Sequence, residues 1–357
     1  MSLSVVYTRA ALGVKAPLIS VEVHLSNGLP GLTLVGLPET TVKEARDRVR
    51  SAIINSGYTF PAKKITINLA PADLPKEGGR YDLPIAIALL TASEQLSAPR
   101  LGHYEFVGEL ALTGALRGVP GAISGAIAAL NAGREIIVAT DNAAEVSLIE
   151  QKGCLVAGHL QEVCAFLEGK HQLAEPEPVP FSAEPESNDI NDIIGQEHGK
   201  RALEITAAGS HNLLLIGPPG TGKTMLASRL NGLLPPLSNH EALESAAIIS
   251  LVNASSLHKQ WRMRPFRAPH HSASLAAMVG GGSIPAPGEI SLAHNGILFL
   301  DELPEFERRV LDALREPIES GQINISRTRA KIAYPARFQL IAAMNPSPTG
   351  HYQGQHN

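Results

Sequence analysis

The segment LLLIGPPGTGKT, residues 213–224, restricts what this chain can fold into more than any other. Four apolar residues run into the turn Gly217-Pro218-Pro219-Gly220-Thr221-Gly222, and Lys223, Thr224 and Met225 open a helix-like run. A strand, a glycine-rich turn and a helix in that order form a phosphate-binding loop. The glycines let backbone N–H groups turn inward around the β- and γ-phosphates of a nucleotide, and the helix N-terminus adds partial positive charge. Lys223 brings a mobile ammonium to the phosphates, and the Thr224 hydroxyl suits Mg2+. The expected ligand of residues 217–225 is ATP with Mg2+.

Two further apolar runs end in polar residues: Gly296 to Leu300 leads into Asp301 and Glu302, and Phe338 to Met344 leads into Asn345. Together with the run His211 to Ile216 they predict three buried parallel strands, whose carboxyl ends line one crevice of a doubly wound α/β sheet. Asp301 is expected to hold Mg2+ through water, and Glu302 to orient and polarise the attacking water. The alternative for both is a helix N-cap ahead of LPEF. Asn345 is expected to donate a hydrogen bond to the γ-phosphate or the attacking water, unless it is a turn residue before Pro346. Lys223, Glu302 and Asn345 are thus the candidate catalytic groups.

At 357 residues the chain exceeds what one hydrophobic core usually organises. Residues 173–192 hold four prolines, six acidic residues and no basic one, the composition of a stiff, solvated linker. The expected domains are therefore 1–172 and 193–357, with 173–192 between them. In the first, strand-like runs (19–25, 32–35, 65–69, 136–139) alternate with helix-like ones (42–56, 83–92, 123–132), which predicts an α/β or α+β domain. Cys154 and Cys164 match neither zinc nor redox spacing and read as buried thiols of a reducing cytosol. The N-terminus has no leader pattern and no stretch approaches 18 apolar residues, so the expected location is cytoplasmic, away from membranes. The chain stops at GHYQGQHN directly after the third strand and reads as a fragment.

The motifs GPPGTGKT, LFLDE and AAMNP, in that order, resemble those of the AAA+ ATPases. More narrowly, RPFRAPHHSAS (264–274), GEISLAHNGILFLDELPEF (288–306) and REPIESGQ (315–322) are similar to the magnesium-chelatase-related branch. Within that branch the whole run of motifs resembles the ComM/YifB family of bacteria. The resemblance implies that Ile194, Gly195 and Gln196 pack against adenine, where the residues alone give only a helix start. It implies a ring, usually a hexamer, with active sites between neighbouring subunits, and an arginine finger, a sensor arginine and a helical lid beyond residue 357. It also implies a DNA helicase or branch-migration motor of natural transformation or recombination. A chelatase-type subunit that drives metal insertion or remodels a partner is the alternative, with an ATP-dependent protease behind it.

The segment from Pro71 to Ser93, followed by Phe106 to Gly133, resembles the proteolytic domain of Lon-type proteases, a ribosomal S5 domain 2-like α+β fold. Such a site needs a serine nucleophile activated by a lysine. Here Gly78 to Pro84 contains no Ser, Thr or Cys, and the lysine position is Ser124. The resemblance therefore implies a Lon-like domain without a peptidase site, kept for docking or DNA handling. Lys63, Lys64, Lys76 and Arg80 form either a basic patch or an ordinary solvated face.

Basic residues also cluster in two acid-free stretches. Between Glu244 and Glu289, Arg264 and Arg267 stand with Lys259 and Arg262 around Trp261, Phe266, His270 and His271. After Glu319, Arg327, Arg329 and Lys331 occur at alternate positions, so a single β-strand would put them on one face. Such a face suits a phosphate backbone, with rings available to stack on bases; the alternative is pairing with acidic residues elsewhere. The adjacent histidines point in different directions on a helix or a strand, which argues for packing or a pore loop rather than a shared metal.

Overall fold

The computed structural model describes residues 2–36, 44–178, 189–254, 257–282, 285–327 and 330–346. The chain divides into two compact units, one made mostly of residues up to 180 and the other mostly of those beyond. Of the expected linker, residues 179–188 lie outside the described residues. Its first part is not simply solvated: Val156 N–H donates to Ala174 O at 3.0 Å, a bridge onto the first unit's sheet.

The first unit is a seven-stranded mixed sheet made of β1 (Ser2–Arg9), β2 (Leu18–Ser26), β3 (Gly31–Val35), β4 (Lys64–Ala70), β5 (Tyr104–Val107), β8 (Glu135–Ala139) and β9 (Cys154–Ala157). A small hairpin, β6 (Glu109–Leu110) with β7 (Leu116–Arg117), stands apart from it. The sheet order is β3-β4-β2-β1-β5-β8-β9. Strict alternation in β2 and β4 sends Ile19, Val21, Val23, Leu25, Ile65, Ile67 and Leu69 to one face, and the antiparallel register pairs Val21 with Leu69 and Val23 with Ile67. The helices Ala45–Asn55 and Asp82–Ala92 contribute to the core over that face. The strands and helices expected here are present. Sequence reading missed β1, because its inward positions are Ser4, Val6 and Thr8 rather than an apolar series. Ser4 lies inward because its hydroxyl shares a 2.6 Å hydrogen bond with Thr91 on the covering helix.

Buried charge is concentrated at β5. Glu105 is fully buried and receives Arg9 Nε at 2.6 Å, Arg9 Nη2 at 2.7 Å and Arg134 Nη1 at 3.2 Å. Neither the basic patch nor the solvated face holds for all four residues: Lys76 and Arg80 are buried, with Arg80 donating to the carbonyls of Arg9 and Pro120. Cys154 and Cys164 are buried free thiols, and burial pushes both up to about 11. Among the described residues no helix is long and apolar enough to cross a membrane.

The second unit is built on β10 (Leu213–Ile216), β11 (Phe266–Arg267), β14 (Ile297–Leu300) and β17 (Gln339–Met344), all parallel, in the order β10-β17-β14-β11. Ile297, Phe299, Ile341 and Ala343 pack with Leu203 of the helix Glu197–Gly209 and with Leu226, Ala227 and Leu230 of the helix Lys223–Leu233. The expectation of three buried strands holds for β14 and β17. It does not hold for β10, an edge strand with Leu214 and Ile216 about half exposed, because among the described residues β17 is its only sheet neighbour. Two hairpins complete the unit: β12 (Gly280–Gly281) with β13 (Ala286–Pro287), and β15 (Gln322–Arg327) with β16 (Ala330–Pro335).

The amino ends of β14 and β17 are stitched together. Asn295 N–H donates to Arg337 O at 2.6 Å, Gln339 N–H to Gly296 O at 2.9 Å, and Arg337 N–H to the Nδ1 of buried His294 at 3.1 Å. Because Nδ1 accepts, the ring proton sits on Nε2, which faces Glu244 at 3.4 Å. Burial holds the His294 imidazole below its ordinary value.

Removing one partner from a buried ionic cluster costs about 3–5 kcal/mol, because it strands the remaining charge. Glu105→Ala is expected to lower the first unit's stability by that order in denaturant unfolding, against less than about 1 kcal/mol for removal of an exposed pair such as Lys170–Glu168. His294 gives a pH dependence of known sign. A depressed folded-state value makes the unfolded chain the better proton acceptor, so its stabilisation is complete above about pH 6.5 and is lost as pH falls through the folded-state value. The melting temperature of this unit is expected to drop below pH 6.5, and the slope to flatten in His294→Gln.

Candidate functional site

The carboxyl ends of the parallel strands carry the residues singled out from the sequence. β10 leads into residues 217–222 and then into the helix Lys223–Leu233. Gly220 and Gly222 have φ of +76° and +82°, and nothing lies within 4 Å of where their Cβ atoms would be. Glycine is required there by conformation, not by crowding. The turn is closed by Thr221 Oγ1 donating to Pro218 O at 2.8 Å.

Register brings the three strand ends together. Ile216 pairs with Met344 and Leu300 with Ala342, and Gly217 N–H donates to Met344 O at 3.3 Å. Asn345 therefore emerges beside the loop. Lys223 Nζ donates to Gly217 O at 2.8 Å, to Pro218 O at 2.9 Å and to Asn345 Oδ1 at 3.1 Å. An ammonium only donates, so this contact turns the Asn345 amide with its oxygen toward Lys223 and leaves Nδ2 as a donor. On the other side Thr224 Oγ1 donates to Asp301 Oδ2 at 2.6 Å, while Asp301 Oδ1 accepts the Glu302 N–H at 3.0 Å.

These oxygens fit Mg2+: a hydroxyl and a carboxylate meet at the mouth of a loop whose helix leaves its first N–H groups without intrahelical partners. The Glu302 side chain makes no cap hydrogen bond to the short turn Leu303–Glu305. Its backbone is left-handed, with φ +54°, and its Oε2 lies 3.1 Å from His271 Nδ1. Glu302 thus stands at the site without touching Lys223, Thr224 or Asn345. A cavity of about 340 Å³ adjoins these groups, lined by Thr224, Asp301, Glu302, His270, His271 and Phe299, among others.

Gln196, itself left-handed at φ +58°, donates through Nε2 to Thr221 O at 3.0 Å, and so ties the segment 194–196 to the loop. Ile194 is 97% exposed and Met225 about half exposed, leaving apolar surface open on both sides of that tie.

The basic residues fare differently. Arg267 forms a two-pronged pair with Glu289, both contacts at 2.6 Å. Arg264 donates to Pro235 O at 2.7 Å and to Asn295 O at 2.8 Å. Both arginines are engaged inside their own unit, which is the pairing alternative. Arg327 ends β15 and Lys331 lies in β16, while Arg329 lies outside the described residues. The premise of a single strand carrying all three therefore fails, since Arg327 and Lys331 belong to two different strands. Sequence reading did not place His271 near Glu302: that proximity follows from β11 pairing with β14, which no local pattern reveals.

The family model described as magnesium chelatase, subunit ChlI, matches residues 189–357, and a second, described as subunit ChlI of Mg-chelatase, matches residues 21–142. The protein YifB of Salmonella typhimurium is 80% identical over all of this chain and 71% of its own length. The competence protein ComM of Haemophilus influenzae is 62% identical over the same shares. The magnesium-chelatase 38 kDa subunit of Rhodobacter capsulatus is 30% identical over 51% of this chain and 55% of its own length. The chain belongs to the ComM/YifB family of magnesium-chelatase-like proteins.

Proposed function

We propose that the second unit is an AAA+-type ATPase that hydrolyses ATP with Mg2+, and that the work it drives is done on DNA. The observation that carries the ATPase reading is the convergence of Lys223 with Asn345 and of Thr224 with Asp301 around one glycine loop. In this reading the loop N–H groups and Lys223 bind the β- and γ-phosphates. A bound Mg2+ would supply positive charge to neutralise the phosphates. Thr224 and Asp301 hold that ion, directly and through water. Glu302 polarises the attacking water, Asn345 Nδ2 donates to the γ-phosphate or to that water, and Ile194, Gly195 and Gln196 cradle the base.

DNA enters through the relation to the competence protein ComM, at 62% identity over the whole chain. A ring-forming helicase or branch-migration motor in the cytoplasm, hexameric like the AAA+ ATPases it resembles, is the form this takes. With Arg264 and Arg267 engaged in their own unit, the sequence stretch with Arg327, Arg329 and Lys331 is the candidate DNA contact. The first unit is read as a Lon-like platform without peptidase activity, in keeping with the missing Ser–Lys pair. A second reading is favoured by the similarity to a magnesium-chelatase subunit: the same ATPase remodels a protein partner that inserts metal.

Two measurements test these assignments. ATP hydrolysis by the intact protein is expected to rise several-fold with single-stranded or forked DNA and to vanish in Lys223→Ala; no response to any DNA would favour the partner-remodelling reading. Thr224→Val and Asp301→Asn are expected to remove most of the Mg2+-dependent gain in nucleotide affinity, about tenfold or more, while leaving binding in EDTA unchanged. An intact Mg2+ effect in both variants would move the ion elsewhere.

A further inference from the structure

We infer that Gln196 is a positioning residue for the glycine loop: its carboxamide sets the orientation of the peptide between Thr221 and Gly222, and so aims the Gly222 N–H at a bound phosphate. The inference rests on the reading of residues 217–224 as a phosphate site, and it gives Gln196 a task separate from packing against a base. Gln196 Nε2 donates to Thr221 O at 3.0 Å. A carbonyl only accepts, so the amide nitrogen is the atom that faces it. Among the described residues no other donor reaches that oxygen, and the Gly222 N–H has no acceptor. Thr221 C=O and Gly222 N–H belong to one planar trans peptide and point in opposite directions. A bond that holds the oxygen toward Gln196 therefore holds the N–H turned away from that side chain, free for an anion. Little else restrains this peptide. Gly222 has φ of +82° with nothing within 4 Å of its missing Cβ, and glycine permits rotation either way. The Thr221 hydroxyl is engaged by Pro218 O, and Gly222 O accepts the Leu226 N–H at 2.9 Å, which fixes the next peptide rather than this one.

Gln196 can do this because its own backbone is anchored on both sides. Before it, Ile193 is buried against Leu226, Ala227 and Leu230 of the helix that the loop opens, and Asp192 pairs with Arg229 of the same helix at 3.5 Å. After it, Gln196 O accepts the Lys200 N–H at 2.9 Å in the first turn of the helix Glu197–Gly209. That helix lies close to the loop's own: a Cβ on Gly199 would stand 3.0 Å from Leu226 Cδ1. Between these anchors Gly195 and Gln196 are both left-handed, with φ of +72° and +58°. Glycine adopts that conformation freely, whereas glutamine is strained in it. A side chain held at a strained position points to a task that glycine could not perform. The hydrogen bond is exposed to solvent, so it adds little to folding, and its effect belongs to binding.

Two variants of the intact protein and two probes separate the possibilities. Gln196→Met keeps the length of the side chain and removes the donor, and Gln196→Gly removes the side chain while relieving the left-handed backbone. The probes are MgATP and magnesium tripolyphosphate, which has the phosphates but neither base nor sugar. Both variants are expected to bind both probes about threefold to tenfold more weakly than wild type. The melting temperature of nucleotide-free Gln196→Gly is expected not to fall, which a residue that merely supports the fold would not allow. Tripolyphosphate binding unchanged in both variants, with any loss confined to MgATP, would place Gln196 at the base and overturn the inference alone. A melting temperature lowered in both variants would make Gln196 a support of the fold and overturn it likewise. If the wild-type protein did not bind tripolyphosphate, the reading of the loop as a phosphate site would fail, and the inference with it.

Discussion

Parallel register between β10, β17 and β14 decides whether a site exists at all. Strands advance about 3.3 Å per residue, and a slip of one residue also turns every side chain to the opposite face. Either change breaks a 2.6 Å contact between Thr224 and Asp301, or a 3.1 Å contact between Lys223 and Asn345. The loop contributes a local geometry that glycine permits, but its partners come from strands 77 and 122 residues away in sequence. What sets the register lies at the other end of the sheet, where Asn295, Gly296, Arg337 and Gln339 exchange backbone hydrogen bonds and His294 accepts from Arg337 N–H.

Arg264 belongs to that same end. Its guanidinium joins the carbonyls of Pro235, which follows the helix that begins at Lys223, and of Asn295, which precedes β14. One cation thus ties the far end of the phosphate-loop helix to the start of the strand that ends at Asp301. A basic residue in an acid-free stretch looked available for phosphate. In the fold its donors are spent on backbone carbonyls, which sequence composition does not count.

Much of the second unit was legible because its signals are local. An apolar run, a glycine turn and a polar residue after each strand need no knowledge of distant neighbours, and Lys223, Thr224, Asp301 and Asn345 meet as those signals implied. The failures share a cause. β10 read as buried because four apolar residues in a row carry no record of how many strands flank them. Arg327 and Lys331 read as one face because alternation cannot show that they belong to two strands. β1 was overlooked because Ser4 and Thr8 occupy inward positions, Ser4 being satisfied by a hydroxyl 87 residues away. Lys76 and Arg80 read as surface charge, although backbone carbonyls can satisfy a buried cation.

The lysine contacts also bear on what a nucleotide would have to displace. Lys223 Nζ is satisfied by two loop carbonyls and the Asn345 oxygen, all neutral acceptors. Phosphate oxygens carry negative charge, so they attract the ammonium more strongly than neutral carbonyl and amide oxygens do. Replacing one or two of these contacts by phosphate contacts is therefore favourable without unfolding the loop, because Thr221 and Gln196 hold it through separate bonds. The exchange has a second effect. A Lys223 that moves toward phosphate releases the Asn345 oxygen, so the orientation of that amide becomes coupled to what the ammonium contacts. In the ATPase reading, a residue at the end of β17 would thereby be coupled to the occupancy of a loop that follows β10, through the Lys223 ammonium between them.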